Sequence, residues 1–189
     1  MARRVHILHG FNVRDSGKAT TGKLAPRLRE AGFECIEHKW GWRGIFGTWL
    51  FNSKLVDRLM EAIEPGDDVI GHSDGCNIAM WAAERGAPIR RMVFINPAVD
   101  ADQELPRQVE CCLVFHDHGD KWVRLASWLP FNRWGKMGAT GPLVHGFRYT
   151  TVQHGYGHSG LFKTYQRVRL TALQIKLFLS ADLAHVYRN

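Results

Sequence analysis

The stretch VIGHSDGC, Val69 to Cys76, decides how this chain is read. Val69 and Ile70 close an apolar run with strand character, and CNIAMWAAERG, from Cys76 to Gly86, reads as a small-residue helix ended by glycine. Between them, Gly71, Ser73 and Gly75 form a G-x-S-x-G pattern. A chain that passes from strand to helix in so few residues crowds the positions two before and two after the serine, and glycine there relieves the crowding. A serine in such a turn is either an exposed nucleophile or an ordinary turn hydroxyl. The pattern alone is a modest signal, and its strand and helix flanks are what the nucleophile reading requires.

Working outward, apolar runs alternate with helical patterns. VHIL (Val5–Leu8), FECIEHKW, DDVIGHS, RRMVFINPAV, VECCLVFHD and FRYTTVQ read as about six strands. TTGKLAPRLREAG reads as a helix. Leu55, Val56, Leu59, Met60 and Ile63 mark the apolar face of another, and an amphipathic stretch from about Ser159 to Ser180 is the last. Strands separated by helices predict a mostly parallel sheet with helices on both faces, because parallel neighbours need a crossover. No repeat, linker or low-complexity tract interrupts residues 1–189, which predicts one α/β domain.

The composition excludes several classes. A content of 45% hydrophobic residues in 189 is enough for a core without staples. No apolar run approaches the roughly 20 residues of a membrane span, and MARRVHILHGFN lacks a signal-peptide pattern. Cys35, Cys76, Cys111 and Cys112 have no C-x-x-C spacing and read as reduced thiols, which points to the cytoplasm. The net charge is +7, with basic residues spread along the chain, so no nucleic-acid partner is expected.

Two further motifs compete for the chemistry. GKATTGKL (Gly17–Leu24) nearly matches the phosphate-binding loop, but Leu24 stands where a magnesium-holding hydroxyl belongs. HDHGDK offers His116, His118 and Asp120 as zinc ligands for a metal-dependent hydrolase, with Lys121 in place of the final histidine opposing a metal there. The expectation is therefore no metal and no cofactor. Aromatic residues cluster after the second strand (Trp40, Trp42, Phe46, Trp49, Phe51) and after Asp120 (Trp122, Trp128, Phe131, Trp134). Loops after strands face the mouth of an open sheet. Trp42 and Trp122, with Phe11, are accordingly expected in a substrate pocket, and residues 129–146 as a flap or a static loop over it.

Four pieces in order, HGF, GHSDG, HGDKWV and GYGHS, make the chain resemble the α/β-hydrolase family, most closely its small members without a cap domain. The resemblance implies an α/β-hydrolase-like fold that begins at the strand carrying His9-Gly10, without the first strands of larger members. It implies a triad of Ser73, Asp120 and His158 in the order serine, acid, histidine. Asp117 is the alternative acid and His154 the alternative base, whereas His72, as the neighbour of Ser73 in a tight turn, is expected to project elsewhere and, like His9, reads as structural. The oxyanion donors it implies are the backbone N–H groups of Phe11 and Asp74. Asp74 carries a charge that would oppose an oxyanion unless its side chain turns to solvent or a basic partner. The activity implied is cleavage of small-molecule carboxylic esters through an acyl-enzyme. Thioesters or amides would use the same groups, and an inactive binding protein is the reading from another class.

Overall fold

A computed structural model describes residues 2–41, 45–128, 134–144 and 148–182, with the side chains of 42–50 outside the description. Six strands form one all-parallel sheet: β1 (Arg3–Leu8), β2 (Phe33–Glu37), β3 (Asp68–His72), β4 (Arg91–Ile95), β5 (Cys111–His116) and β6 (Tyr149–Gln153). Their order across the sheet is β2-β1-β3-β4-β5-β6. The expected strands are all present, and the sheet is wholly rather than mostly parallel. The described residues hold no strand before β1.

The central strands β3, β4 and β5 and the end of β1 are buried on both faces, so they read as apolar runs, whereas β2 and β6 at the sheet edges are partly exposed; side chains still alternate between the faces. Val5, Ile7, Ile70, Val93, Ile95, Leu113 and Phe115 face one layer. That layer is built from α1 (Ala25–Glu30) and α6 (Tyr165–Ser180), which contribute Leu24, Leu28, Val168, Ile175 and Leu179. Leu8, Val69, Met92, Phe94, Cys112 and Val114 face the other layer, made by α2 (Ile45–Ala62) and α3 (Asp74–Glu84) with Leu55, Val56, Leu59 and Ile78.

Helix boundaries differ from expectation where local chemistry intervenes. Pro26 fits the first turn of a helix, so the first helical pattern divides into a 3-10 turn, Thr21–Lys23, followed by α1. The last one divides likewise: Thr164 caps α6 by accepting from the Arg167 N–H, and only the 3-10 turn Gly160–Phe162 precedes it. His158 therefore lies in a loop and does not open the last helix. Two short helices were not expected, α4 (Lys121–Ala126) and α5 (Met137–Thr140).

The strand order reverses between β1 and β3, since β1 leads outward to β2 while β3 leads the other way to β4. A crevice opens at the carboxyl ends of such a pair, because the helices that follow them pass to opposite faces. His9-Gly10-Phe11 leaves β1 there and Ser73 leaves β3.

Candidate active site

Ser73 has φ 54° and ψ −120°, a conformation that costs a non-glycine residue about 1–3 kcal/mol and persists only where neighbours enforce it. The enforcement is visible. The Ser73 N–H donates to Ile95 O at 3.0 Å, and Ser73 O accepts from the Cys76 N–H at 3.1 Å and the Ala98 N–H at 3.3 Å. A Cβ on Gly71 would lie 2.8 Å from Cys76 N, and one on Gly75 would lie 2.9 Å from His9 O. Both glycines are thus required by close approach, and the second packs the start of α3 onto the end of β1. Gly10 rests against Ser73 itself, where a Cβ would stand 3.0 Å from the serine Cβ. Phe11, which follows Gly10, lines the same cavity as Ser73.

Asp120 ends the loop after β5 and is almost fully buried. As N-cap of α4 its Oδ1 accepts the Trp122 and Val123 N–H groups, both at 3.1 Å. Its Oδ2 accepts from Asn96 Nδ2 at 3.0 Å and from His158 Nδ1 at 2.7 Å. A histidine donating from Nδ1 to a carboxylate keeps its Nε2 lone pair free to accept a proton. Ser73 and His158 line one cavity of about 690 Å3 together with Phe11, Trp122 and Trp134.

The alternative residues are also close by, and they pair with each other. His154 Nε2 donates to Asn96 Oδ1 at 3.1 Å, and its Nδ1 lies 3.7 Å from Asp117 Oδ2. Asp117 accepts the Gly119 N–H at 2.7 Å and the Gly157 N–H at 2.6 Å. Burial would raise the Asp117 carboxyl, but these two donors outweigh it and hold the group below its ordinary range. Burial lowers His154.

The Asp74 side chain does not turn to solvent. Its carboxylate is fully buried and accepts from Trp134 Nε1 at 2.8 Å and from Asn52 Nδ2 at 3.1 Å. Trp134, at the start of the described part of the 129–146 segment, also packs at a tilt against Phe11 with ring centroids 4.7 Å apart. This part is tied down: Gly135, Met137 and Gly138 donate their N–H groups to Ala98, Val99 and Pro97 carbonyls. Trp42 lies outside the described residues. Trp122 does line the cavity.

One residue that the sequence reading set aside, His72, and one that it passed over, Asn96, belong to this centre. His72 does not project elsewhere: its Nε2 donates to the His158 carbonyl at 3.0 Å and its ring lies 4.9 Å from the His158 ring. Burial, and then the neighbouring His158, push it down to about 3, so it stays neutral. Asn96, at the end of β4, has φ 44° and joins Asp120 to His154. The Asn-Pro pair after an apolar run was its available signal, since asparagine tolerates the left-handed region.

The rival motifs are put to other uses. Lys23 Nζ donates to Phe162 O at 2.9 Å, and His118 Nδ1 lies 3.0 Å from Ala139 O. Among the described residues no three His, Cys, Asp or Glu side chains converge as metal ligands.

The chain has the α/β-hydrolase fold. Matching solved structures include a monoacylglycerol lipase from Paleococcus ferrophilus, with a TM-score of 0.60 at 15% identity over 93% of each chain. The esterase domain of a Rhodothermus marinus protein gives 0.60 at 14% identity, covering 93% of this chain and 85% of that one. An extracellular α/β-hydrolase from a Paenibacillus species gives 0.58 at 12% identity, covering 95% and 100%. No family model and no curated protein matches in sequence.

Proposed function

We propose that the protein is a serine hydrolase that cleaves carboxylic esters of small molecules through an acyl-enzyme. The observation that carries this reading is the 2.7 Å hydrogen bond from His158 to buried Asp120, with His158 lining a cavity that the strained Ser73 also lines. In this reading His158 Nε2 takes the Ser73 proton as the oxygen attacks the ester carbonyl carbon. The imidazolium formed is stabilised by Asp120 and then protonates the leaving alkoxide. The N–H groups of Phe11 and Asp74 receive the oxyanion, each donor being worth about 3 kcal/mol in barrier. The neutral donors on Asp74 disperse its charge within the fold. Water, activated by the same imidazole, then releases the acid.

Phe11, Trp134 and Trp122 supply apolar walls, which suits a small or medium acyl group. The single sheet between two apolar layers supports reading the chain as one domain. Four free thiols support a reducing compartment such as the cytoplasm. Among the described residues no helix is long and apolar enough to cross a membrane.

The test is turnover of short-chain nitrophenyl esters by the wild type, Ser73→Ala and His158→Ala. Both variants are expected to lose at least about a thousandfold in kcat. Activity retained in Ser73→Ala and abolished by a chelator would overturn the reading in favour of the metal-dependent one. A folded wild type without turnover would favour the binding protein.

A further inference from the structure

The cavity floor and its rim have different chemistry. Helix α4 buries Val123 and turns Trp122 (70% exposed) and Leu125 (63%) outward, while Trp128 (87%) follows the helix and Tyr156 (47%) stands at the same opening. Trp122, Leu125 and Tyr156 also line the cavity, so the exposed apolar surface is continuous with its mouth. A single exposed ring needs no explanation, but a cluster around one opening does.

Charge at the rim has one sign. Among the described residues the cavity lining contains Lys121 and Lys163 and no carboxylate. Arg124 is exposed on α4, and the Arg167 guanidinium lies 3.9 Å above the Tyr156 ring. The pattern extends along the chain: residues 121–181 hold nine lysines and arginines and no aspartate or glutamate. Tryptophan and tyrosine at a boundary between apolar and wet phases, beside lysine and arginine, suit the headgroup level of a bilayer with negative surface charge.

We propose that this rim docks on an anionic lipid surface, so that the cavity opens toward esters presented by that surface. The substrate class rests on the hydrolase reading, whereas the docking itself does not. The favourable terms are insertion of the Trp122, Leu125 and Trp128 side chains and attraction of the basic residues. Each basic residue near such a surface strengthens binding about fivefold, an effect screened by salt.

The test is co-sedimentation of Ser73→Ala protein with phosphatidylcholine vesicles, alone or with a third of the lipid replaced by phosphatidylglycerol. Partition onto the anionic vesicles is expected to exceed that onto neutral ones at least tenfold and to fall as salt is raised. Arg124→Glu and Trp128→Ser, each added to Ser73→Ala, are expected to reduce it about tenfold. The same two substitutions in the active protein leave turnover of a short water-soluble ester unchanged. Equal partition onto both vesicles, or partition untouched by Arg124→Glu and Trp128→Ser, would overturn the proposal. So would a dimer that Trp128→Ser dissociates, because the occupant would then be a second copy. Failure of the hydrolase reading is separate: the wild type would turn over no ester while the vesicle result stood.

Discussion

Two aspartate–histidine pairs arise from the same two loops, and they differ in what they touch. Asp120 and His158 meet at 2.7 Å, with His158 lining the cavity that Ser73 also lines, whereas Asp117 and His154 stand 3.7 Å apart and neither is among the residues that line it. In the first pair the carboxylate accepts from an imidazole, an amide and two backbone groups. In the second, the carboxylate accepts the N–H of Gly119 from its own loop and of Gly157 from the histidine loop. Asn96 touches both pairs. The difference teaches that residue type and loop position are not enough to assign an acid and a base: in our reading one pair moves protons, and the other fixes the distance between the loops that carry it.

The largest expected effect separates the pairs directly. Asp120→Asn, which removes the charge and disturbs the His158 tautomer, is expected to lower kcat on a soluble ester by about 10^3–10^4. Asp117→Asn is expected to leave kcat within about tenfold while destabilising the fold by about 1–3 kcal/mol in chemical denaturation, because two backbone donors lose a charged acceptor. A comparable kcat loss in both variants would erase the distinction.

Asn96→Ala sharpens it at a smaller scale. It leaves one Asp120 lone pair without its donor and frees His154, and kcat is expected to fall about tenfold with a loss of about 1–3 kcal/mol in stability. If His154→Phe lowered kcat as much as His158→Ala, the assignment of the base would move to the second pair.

Three histidines, His72 and His154 beside the two pairs and His38 beyond β2 against His6, predict how stability follows pH. Burial, and then a histidine neighbour in each case, hold His72 down to about 3 and His38 down to about 4, and burial lowers His154. In the unfolded chain these groups take up protons below about 6.5. The unfolded state then binds more protons than the folded one, so stability is full above that pH and is lost as pH falls toward 4. The melting temperature should decline through this window, and a flat profile would contradict neutral burial.

The smallest effect expected is that of Trp134→Phe. It keeps a ring against Phe11 but removes one donor from buried Asp74, at a cost of about 1–3 kcal/mol in stability, with a modest rise in KM for the longer acyl chains.

The strands and the elbow were legible in the sequence because their cause is local. A parallel strand buried on both faces is an apolar run, and a strand that turns within two residues into a helix requires Gly71 and Gly75. Short motifs that resemble a family singled out Ser73, Asp120 and His158, and the structure brings His158 to Asp120 and to the cavity that Ser73 lines. The roles of Asn96 and Trp134 were not legible, since their contacts with Asp120 and Asp74 span 24 and 60 residues and leave no periodic trace. His72 was misjudged because the residue before a nucleophile was assumed to point away, whereas here its ring supports the loop of His158. The break before α6 was hidden for a different reason: Gly160–Phe162 and Tyr165–Ser180 share one apolar periodicity, and only the Thr164 cap divides them.

The central claim is that a serine held in a forbidden turn becomes a nucleophile through the imidazole and carboxylate beside it. Incubating the folded protein with a fluorophosphonate and locating the added mass by peptide mass spectrometry tests this most directly. The account predicts one adduct on the Ser73 peptide, absent in Ser73→Ala and strongly slowed in His158→Ala. A folded protein that remains unlabelled, or one labelled equally after Ser73→Ala, would contradict it.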